Sequence, residues 1–169
     1  MIFVGIDPGI HGAIATLTSS NFSYVVDMPI RPSSLGGKVR NEVDPIALRD
    51  ELRCLVTADE KGVVVMEHQH AFVGSGNARQ GSMASQASLA ATKAVVRTVC
   101  ELVGLPITHV SPKTWQAFYG ISAKRGESTK KQSLRIARGL FGGDLCPLEK
   151  HDGRADALLI ARWAARNLA

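Results

Sequence analysis

The sequence predicts an α/β fold: a three-stranded antiparallel meander, two further strands parallel to one another, and helices on the faces of the resulting five-stranded mixed sheet. Three observations carry that expectation. Residues 1–28 hold three short apolar runs separated by glycine- and serine-containing turns, the pattern of hairpin-linked strands. Two later apolar runs, "KGVVVME" and "PITHVS", each follow a segment of helical periodicity, the alternation that builds parallel strands. The chain then closes on helical patterning alone, in "KKQSLRIARGLF" and "HDGRADALLIARWAARNL".

Taken in order, "MIFVGID" reads as a buried strand, "GAIATLTS" as its hairpin partner and "FSYVVDM" as the third strand. "PIRPSSLGGKVRNEV", rich in Pro, Gly, Ser and positive charge, reads as an exposed loop. Asp44-Pro45 pairs an N-cap with a proline at the first helical position, which opens a helix to about Thr57. "KGVVVME" is apolar enough for a central strand covered on both faces. After the loop "HQHAFVGSGNARQG", a helix is expected from Ser82 to Val103, with Ala87, Ala91, Val95, Val99 and Leu102 on one stripe. Its first half is Ala and Ser, so this face can approach a neighbour closely, as a dimer surface or simply against the sheet. "PITHVS" is the fifth strand, and Ser111-Pro112 repeats the cap-then-proline signal. No repeat, low-complexity tract or linker divides the chain, so residues 1–169 read as one domain.

A hydrophobic content of 45% with 21% charged residues is that of a soluble globular protein. No apolar run reaches the ~18 residues of a membrane span, and the N-terminus lacks the basic flank of a signal peptide. Cys54, Cys100 and Cys146 are odd in number and far apart, which fits a reducing cytoplasm and speaks against a disulfide framework. The net charge of +5 admits a polyanionic partner without requiring one.

Four acids stand out by position. Asp7 ends the first strand and Glu67 the fourth, at carboxyl ends where chemistry gathers in such sheets. Asp152 and Asp156, four apart near the start of the last helix, share one helical face. Two like charges on a face that "ALLIA" continues as apolar are unfavourable unless a cation sits between them. A hard divalent metal with oxygen ligands is the obvious one. Taken singly, each acid has a plainer explanation. Asp7 before Pro-Gly is a turn residue, Glu67 a solvated rim residue, Asp152 a helix-dipole charge and Asp156 a surface acid.

The chain resembles the RuvC-type Holliday-junction resolvases of the RNase H-like (retroviral integrase) superfamily, especially their divergent phage and organellar versions. "GIDPGIHGAIA", "VVVMEHQH", "ITHVSPKTWQ", "STKKQSLRIAR" and "HDGRADALLIARWA" occur in family order and span nearly the whole chain. The resemblance implies an RNase H-like fold and a homodimer. It also implies Mg²⁺- or Mn²⁺-dependent nicking of opposed strands at a four-way DNA junction, in recombination, repair or phage DNA processing. Asp7, Glu67 and Asp156 match the family's metal ligands by position. The fourth ligand departs from the pattern: many members place an acid or histidine where Gly153 stands here, so Asp152 takes that role, with His151 as the fallback. Two ions about 4 Å apart would bridge the scissile phosphate, Asp7 being the central bridge, and leave 5′-phosphate and 3′-hydroxyl ends.

Lys113, Lys124, Arg125, Lys130, Lys131, Arg135 and Arg138 then form an expected phosphate-gripping surface just before the last helix, with Lys131 resembling the family's lysine at the start of that helix and Lys113 another near the cleaved phosphate. Arg31, Lys38 and Arg40 extend it. In the loop after Glu67, His70 or Phe72 is placed to stack on or wedge between bases at the junction centre. Phe72 equally suits a core position, and His68 with His70 lacks the further ligands of a zinc site. The implied location is the nucleoid or a phage host's cytoplasm, or an organelle for a eukaryotic member; no helicase partner is identifiable.

Three rival readings fit the sequence less well. A sugar-kinase or actin-like ATPase needs two related domains, more than 169 residues hold. A non-catalytic DNA-binding module is expected to lack one or more of the acids. Against a sister nuclease acting on other branched DNA or on RNA–DNA hybrids, the basic stretch before the last helix and "SPKTWQ" favour the resolvase branch by resemblance alone.

Overall fold

Side-chain alternation along β1 (Ile2–Asp7) divides the molecule into two layers. The computed structural model describes residues 1–20, 22–34, 39–68, 83–123 and 126–169. Ile2, Val4 and Ile6 pack on one side of the sheet with Leu48 and Leu52 of α1 (Pro45–Leu55) and Val96 and Val99 of α2 (Met83–Leu102). Phe3 faces the opposite side, as do Gly5 and Asp7 by the same alternation. That layer is built by α5 (Asp152–Asn167), with Trp115 of α3 (Pro112–Phe118) and Leu134 of α4 (Thr129–Phe141).

The main sheet runs β3 (Ser23–Asp27), β2 (Ala13–Thr18), β1, β6 (Gly62–Glu67), β7 (Ile107–Val110). β3, β2 and β1 form the antiparallel meander, whereas β6 is parallel to β1 and β7 to β6. This is the mixed five-stranded sheet that the sequence predicts. Both proline-marked helix starts are present. Asp44 Oδ1 accepts the backbone N–H groups of Ile46 and Ala47, and Ser111 Oγ accepts that of Thr114. Among the described residues, no helix is long and apolar enough to cross a membrane.

Two local expectations give way. The segment expected as an open loop contains β4 (Ile30–Ser33) and β5 (Arg40–Val43), paired antiparallel as a separate ribbon. Arg31 and Glu42 stand opposite each other and form an ion pair at 3.0 Å, while Val43 is buried in the α1/α2 layer. Pro32 masks the strand signal, being tolerable only because this ribbon is all edge. The buried stripe of α2 is also rotated from the expected one. Thr92, Val96, Val99 and Cys100 are buried, whereas Ala87 and Ala91 are exposed and Leu102 is 76% exposed. The buried residues described on this helix begin at Thr92, so its Ala- and Ser-rich residues 85–91 lie outside the core.

The closest packing in the fold is between α5 and β1. A Cβ on Gly5 would stand 2.2 Å from the Ala157 carbonyl oxygen and 2.4 Å from the Ala161 nitrogen, so only glycine admits the helix at this depth. Gly153, Ala157, Ala161 and Ala164 are all buried small residues of α5. Arg154 pins the start of the helix to the end of β3, donating to both carboxylate oxygens of Asp27 at 2.6 and 2.7 Å. Gly5→Ala is therefore expected to lower the unfolding free energy by roughly 3 kcal/mol or more. Gly139→Ala, in α4 with no described atom within 4 Å of its Cβ position, is expected to raise it by roughly 0.5–1 kcal/mol. Urea unfolding of the two variants measures both; equal effects would overturn the close-contact assignment.

Candidate active site

The sheet brings two of the acids together before any helix is considered. Ile6 of β1 pairs with Met66 of β6, so Asp7 and Glu67 come next, side by side at the carboxyl ends of parallel strands. Both lie on the α5 face by alternation. On α5, Asp152 and Asp156 immediately precede Gly153 and Ala157 of the close-packed seam, about 100° round the helix from it. The depth set by Gly5 thus carries these two acids to Asp7.

The electrostatics report this gathering. Burial holds the Asp7 carboxyl well above the usual carboxylate range, and Asp156, Glu67 and Asp152 push it further in that order. Asp156 is pushed up to about 7, mainly by burial, with Glu67 and Asp152 adding to the shift and a hydrogen bond from Ser133 opposing it. Lys130 is raised by its bond to Asp152, and the fields of Asp156 and Asp7 add to that.

Three of the acids have donors: Trp115 for Glu67, Lys130 for Asp152 and Ser133 for Asp156. Glu67, 4% exposed, accepts the indole N–H of Trp115 at 2.7 Å. Asp152 is paired with the Lys130 ammonium at 2.5 Å. Asp156 Oδ1 is buried and accepts no hydrogen bond from any described residue. Among the described residues, no three His, Cys, Asp or Glu side chains are gathered closely enough to hold a metal ion. The four acids therefore share a field and not a ready-made coordination sphere, because carboxylates without a cation between them repel. The donor set nevertheless fits a hard divalent cation: only oxygen ligands, excess negative charge and one orphaned buried oxygen.

The structure also explains the departure at Gly153. A Cβ there would lie 2.5 Å from the His11 carbonyl oxygen and 3.2 Å from Asp7 Oδ2, so no side chain fits where the helix meets the β1–β2 turn. Asp152 instead lines a cleft of about 510 Å³ together with Asp7 and Lys130, opposite Ser88, Leu89 and Thr92 of α2. His151 is oriented otherwise: its Nδ1 accepts the Leu148 N–H at 3.3 Å. The small side chains of α2 thus border the cleft, whatever else that face contacts.

The basic residues divide. Lys130, not its neighbour Lys131, reaches the acids, while Lys113 and Lys131 are exposed. Arg135 pairs with Glu127 at 3.3 Å at the surface. Arg138 is a structural clamp, donating to the Cys146 carbonyl at 2.9 Å and to Glu149 at 2.9 Å. Arg31 is engaged with Glu42, and Arg40 is exposed on the ribbon. Lys38, His70, Phe72, Lys124 and Arg125 lie outside the described residues.

Sequence reasoning missed three supporting residues. Trp115 anchors Glu67, and Ser133 supports Asp156. Buried Gln132 binds the Ser122 N–H and the carbonyls of Ser122 and Glu127, shaping the segment before α4. The polar pair Gln132-Ser133 within an otherwise amphipathic helix was the available signal.

Asp7 and Asp156 hold protons more tightly folded than unfolded, so their contribution to stability is greatest below about pH 4 and declines as pH rises toward 7. In chelator, Asp156→Asn is accordingly expected to stabilise the protein at pH 8 by roughly 2–4 kcal/mol and to change little at pH 4. Thermal unfolding at both pH values, with and without Mg²⁺, checks this; an equal effect at both would overturn it.

No protein-family model matches the chain, and no curated protein matches it significantly. Solved structures do. A RuvC from T. thermophilus in complex with Holliday junction substrate superposes with a TM-score of 0.58 at 16% identity, over 98% of this chain and 96% of that one. A second Thermus thermophilus RuvC structure gives 0.51 at 19% identity, with the same coverage. The chain therefore has the fold of these RuvC structures, an RNase H-like mixed sheet flanked by helices.

Proposed function

We propose that this chain is a divalent-metal-dependent, structure-selective endonuclease that nicks four-way DNA junctions. One observation carries the proposal: Asp7, Glu67, Asp152 and Asp156 lie within one another's electrostatic field, Asp7 and Asp152 line a cleft, and a buried Asp156 oxygen has no described partner. Support for the substrate comes from the shared fold, since the T. thermophilus RuvC is seen with Holliday junction substrate. Asp7, Glu67, Asp156 and Asp152 would hold the cation. Mg²⁺ or Mn²⁺, two ions by the family resemblance, would supply Lewis acidity toward the phosphoryl group and a water when bound.

The chain's own residues do the rest. Glu67 is kept in one orientation by Trp115, and Asp7 is fixed by its position at the end of a central strand. Lys130, now the counter-ion of Asp152, stands at the cleft wall, where an entering phosphate offers it a second anionic partner. Ser88 and Thr92 put small polar side chains in the cleft lining. Lys113, Lys131 and Arg135 grip flanking phosphates without reading sequence. Paired nicks in opposed strands call for two such clefts, hence a homodimer.

Labelled four-way junction, duplex, flap and RNA–DNA hybrid, each incubated with the protein in Mg²⁺ or Mn²⁺, test the proposal. Junctions are expected to be nicked in opposed strands with ligatable ends, and Asp7→Asn to lose more than ~100-fold of the rate. Hybrid cleavage without junction cleavage would point to the sister nuclease, and a junction bound but never cut to a binding module. Separately, Lys131→Ala is expected to weaken junction binding uniformly across sequences. It should reduce the slope of log affinity against log salt by about 0.9, read by titration at several salt concentrations.

A further inference from the structure

Trp115 is fully buried, and its single polar atom is spent on a carboxylate 48 positions away in sequence. The route to that contact is set by the sheet. Glu67 pairs with Val110 at the ends of β6 and β7, so the chain leaves β7 at the level of the acid. Ser111 then caps α3 at once, and Trp115 falls one turn into that helix, on the α5 side of the sheet. The indole is wedged within the same core layer as Val65, Leu134 and Leu158, which allows it no alternative orientation. A buried Trp N–H needs an acceptor. The one it has here is Oε2 of the Glu67 carboxylate, which is itself only 4% exposed.

A rigid donor on one carboxylate oxygen fixes the plane of the group and decides which lone pairs remain for other partners. Second partners of this kind tune how ligands meet a metal, through orientation and basicity. The donors on two other acids differ: Asp152 is held by a flexible, 75% exposed lysine, and Asp156 takes a small hydroxyl, from Ser133, that leaves its Oδ1 without a described partner. We infer that Trp115 is a positioning residue, whose indole N–H orients the Glu67 carboxylate for a divalent cation. It rests on the nuclease function proposed above but acts on metal binding, which can be read separately.

Trp115→Phe keeps the aromatic packing and removes the hydrogen bond. With Mn²⁺ alone in isothermal titration, the folded variant is expected to bind about tenfold more weakly than wild type. Half-maximal nicking should need a correspondingly higher metal concentration, while junction affinity without metal stays unchanged. A folded variant with wild-type Mn²⁺ affinity overturns the inference, as does a wild-type protein that binds no Mn²⁺. If Mn²⁺ binds, Trp115→Phe weakens it and no DNA is ever cut, the nuclease function falls and the role of Trp115 stands. Should Trp115→Phe fail to fold, Trp163→Phe leaves Trp115 as the sole tryptophan. Its emission is then expected to be quenched by Mn²⁺ and shifted by Glu67→Gln. Emission indifferent to both overturns the inference.

Discussion

The contact between α5 and the middle of β1 is the constraint on which the rest depends. Helices ordinarily pack on sheets through interposed side chains, which keep the backbones well apart. Here Gly5 removes one layer of side chain, and Ala157 and Ala161 reduce the other, so backbone meets backbone. The stabilisation is dispersive and modest per atom, but the geometric consequence is large. It sinks the start of α5 against the β1–β2 turn, where Gly153 again leaves no room for a Cβ, and holds Asp156 beside Asp7. The bidentate Arg154–Asp27 pair secures the same end from the edge strand β3.

That closeness has an electrostatic cost. Burial, and after it the neighbouring carboxylates, raise the proton affinity of Asp7 and Asp156, and hydrogen bonds from Trp115, Lys130 and Ser133 offset part of the penalty. Such a cluster is stable only with protons or a cation in it. It is the arrangement expected when a fold gives up stability at one place in return for a site poised for positive charge. Lys130 is exposed enough to move, whereas Trp115 is not, so the two donors play different parts.

Much of this was legible. Apolar runs, caps and prolines marked the five main strands and the helices, because these signals are local and of fixed period. Asp7 and Glu67 stood at strand ends and Asp152 and Asp156 one turn apart for the same reason. The β4–β5 ribbon was missed because Pro32 and the polar run beside it erase alternation, while the pairing of Arg31 with Glu42 is a cross-strand property. The stripe of α2 was misphased because Ala is compatible with core and surface alike, and only the partner surface chooses. Arg138 was counted with the phosphate-facing residues, yet its guanidinium closes the turn before α5.

Taken alone, then, the sequence determined the element order, the mixed sheet and the acids that alternation and helical spacing put on common faces. Those are consequences of period and cap chemistry, which need no knowledge of distant residues. Only the tertiary structure decided that Glu67 answers to Trp115, that Lys130 and not Lys131 faces Asp152, and that Gly153 excludes a ligand at its own position. Each of these depends on how deeply one element sinks against another, a depth set by non-local packing.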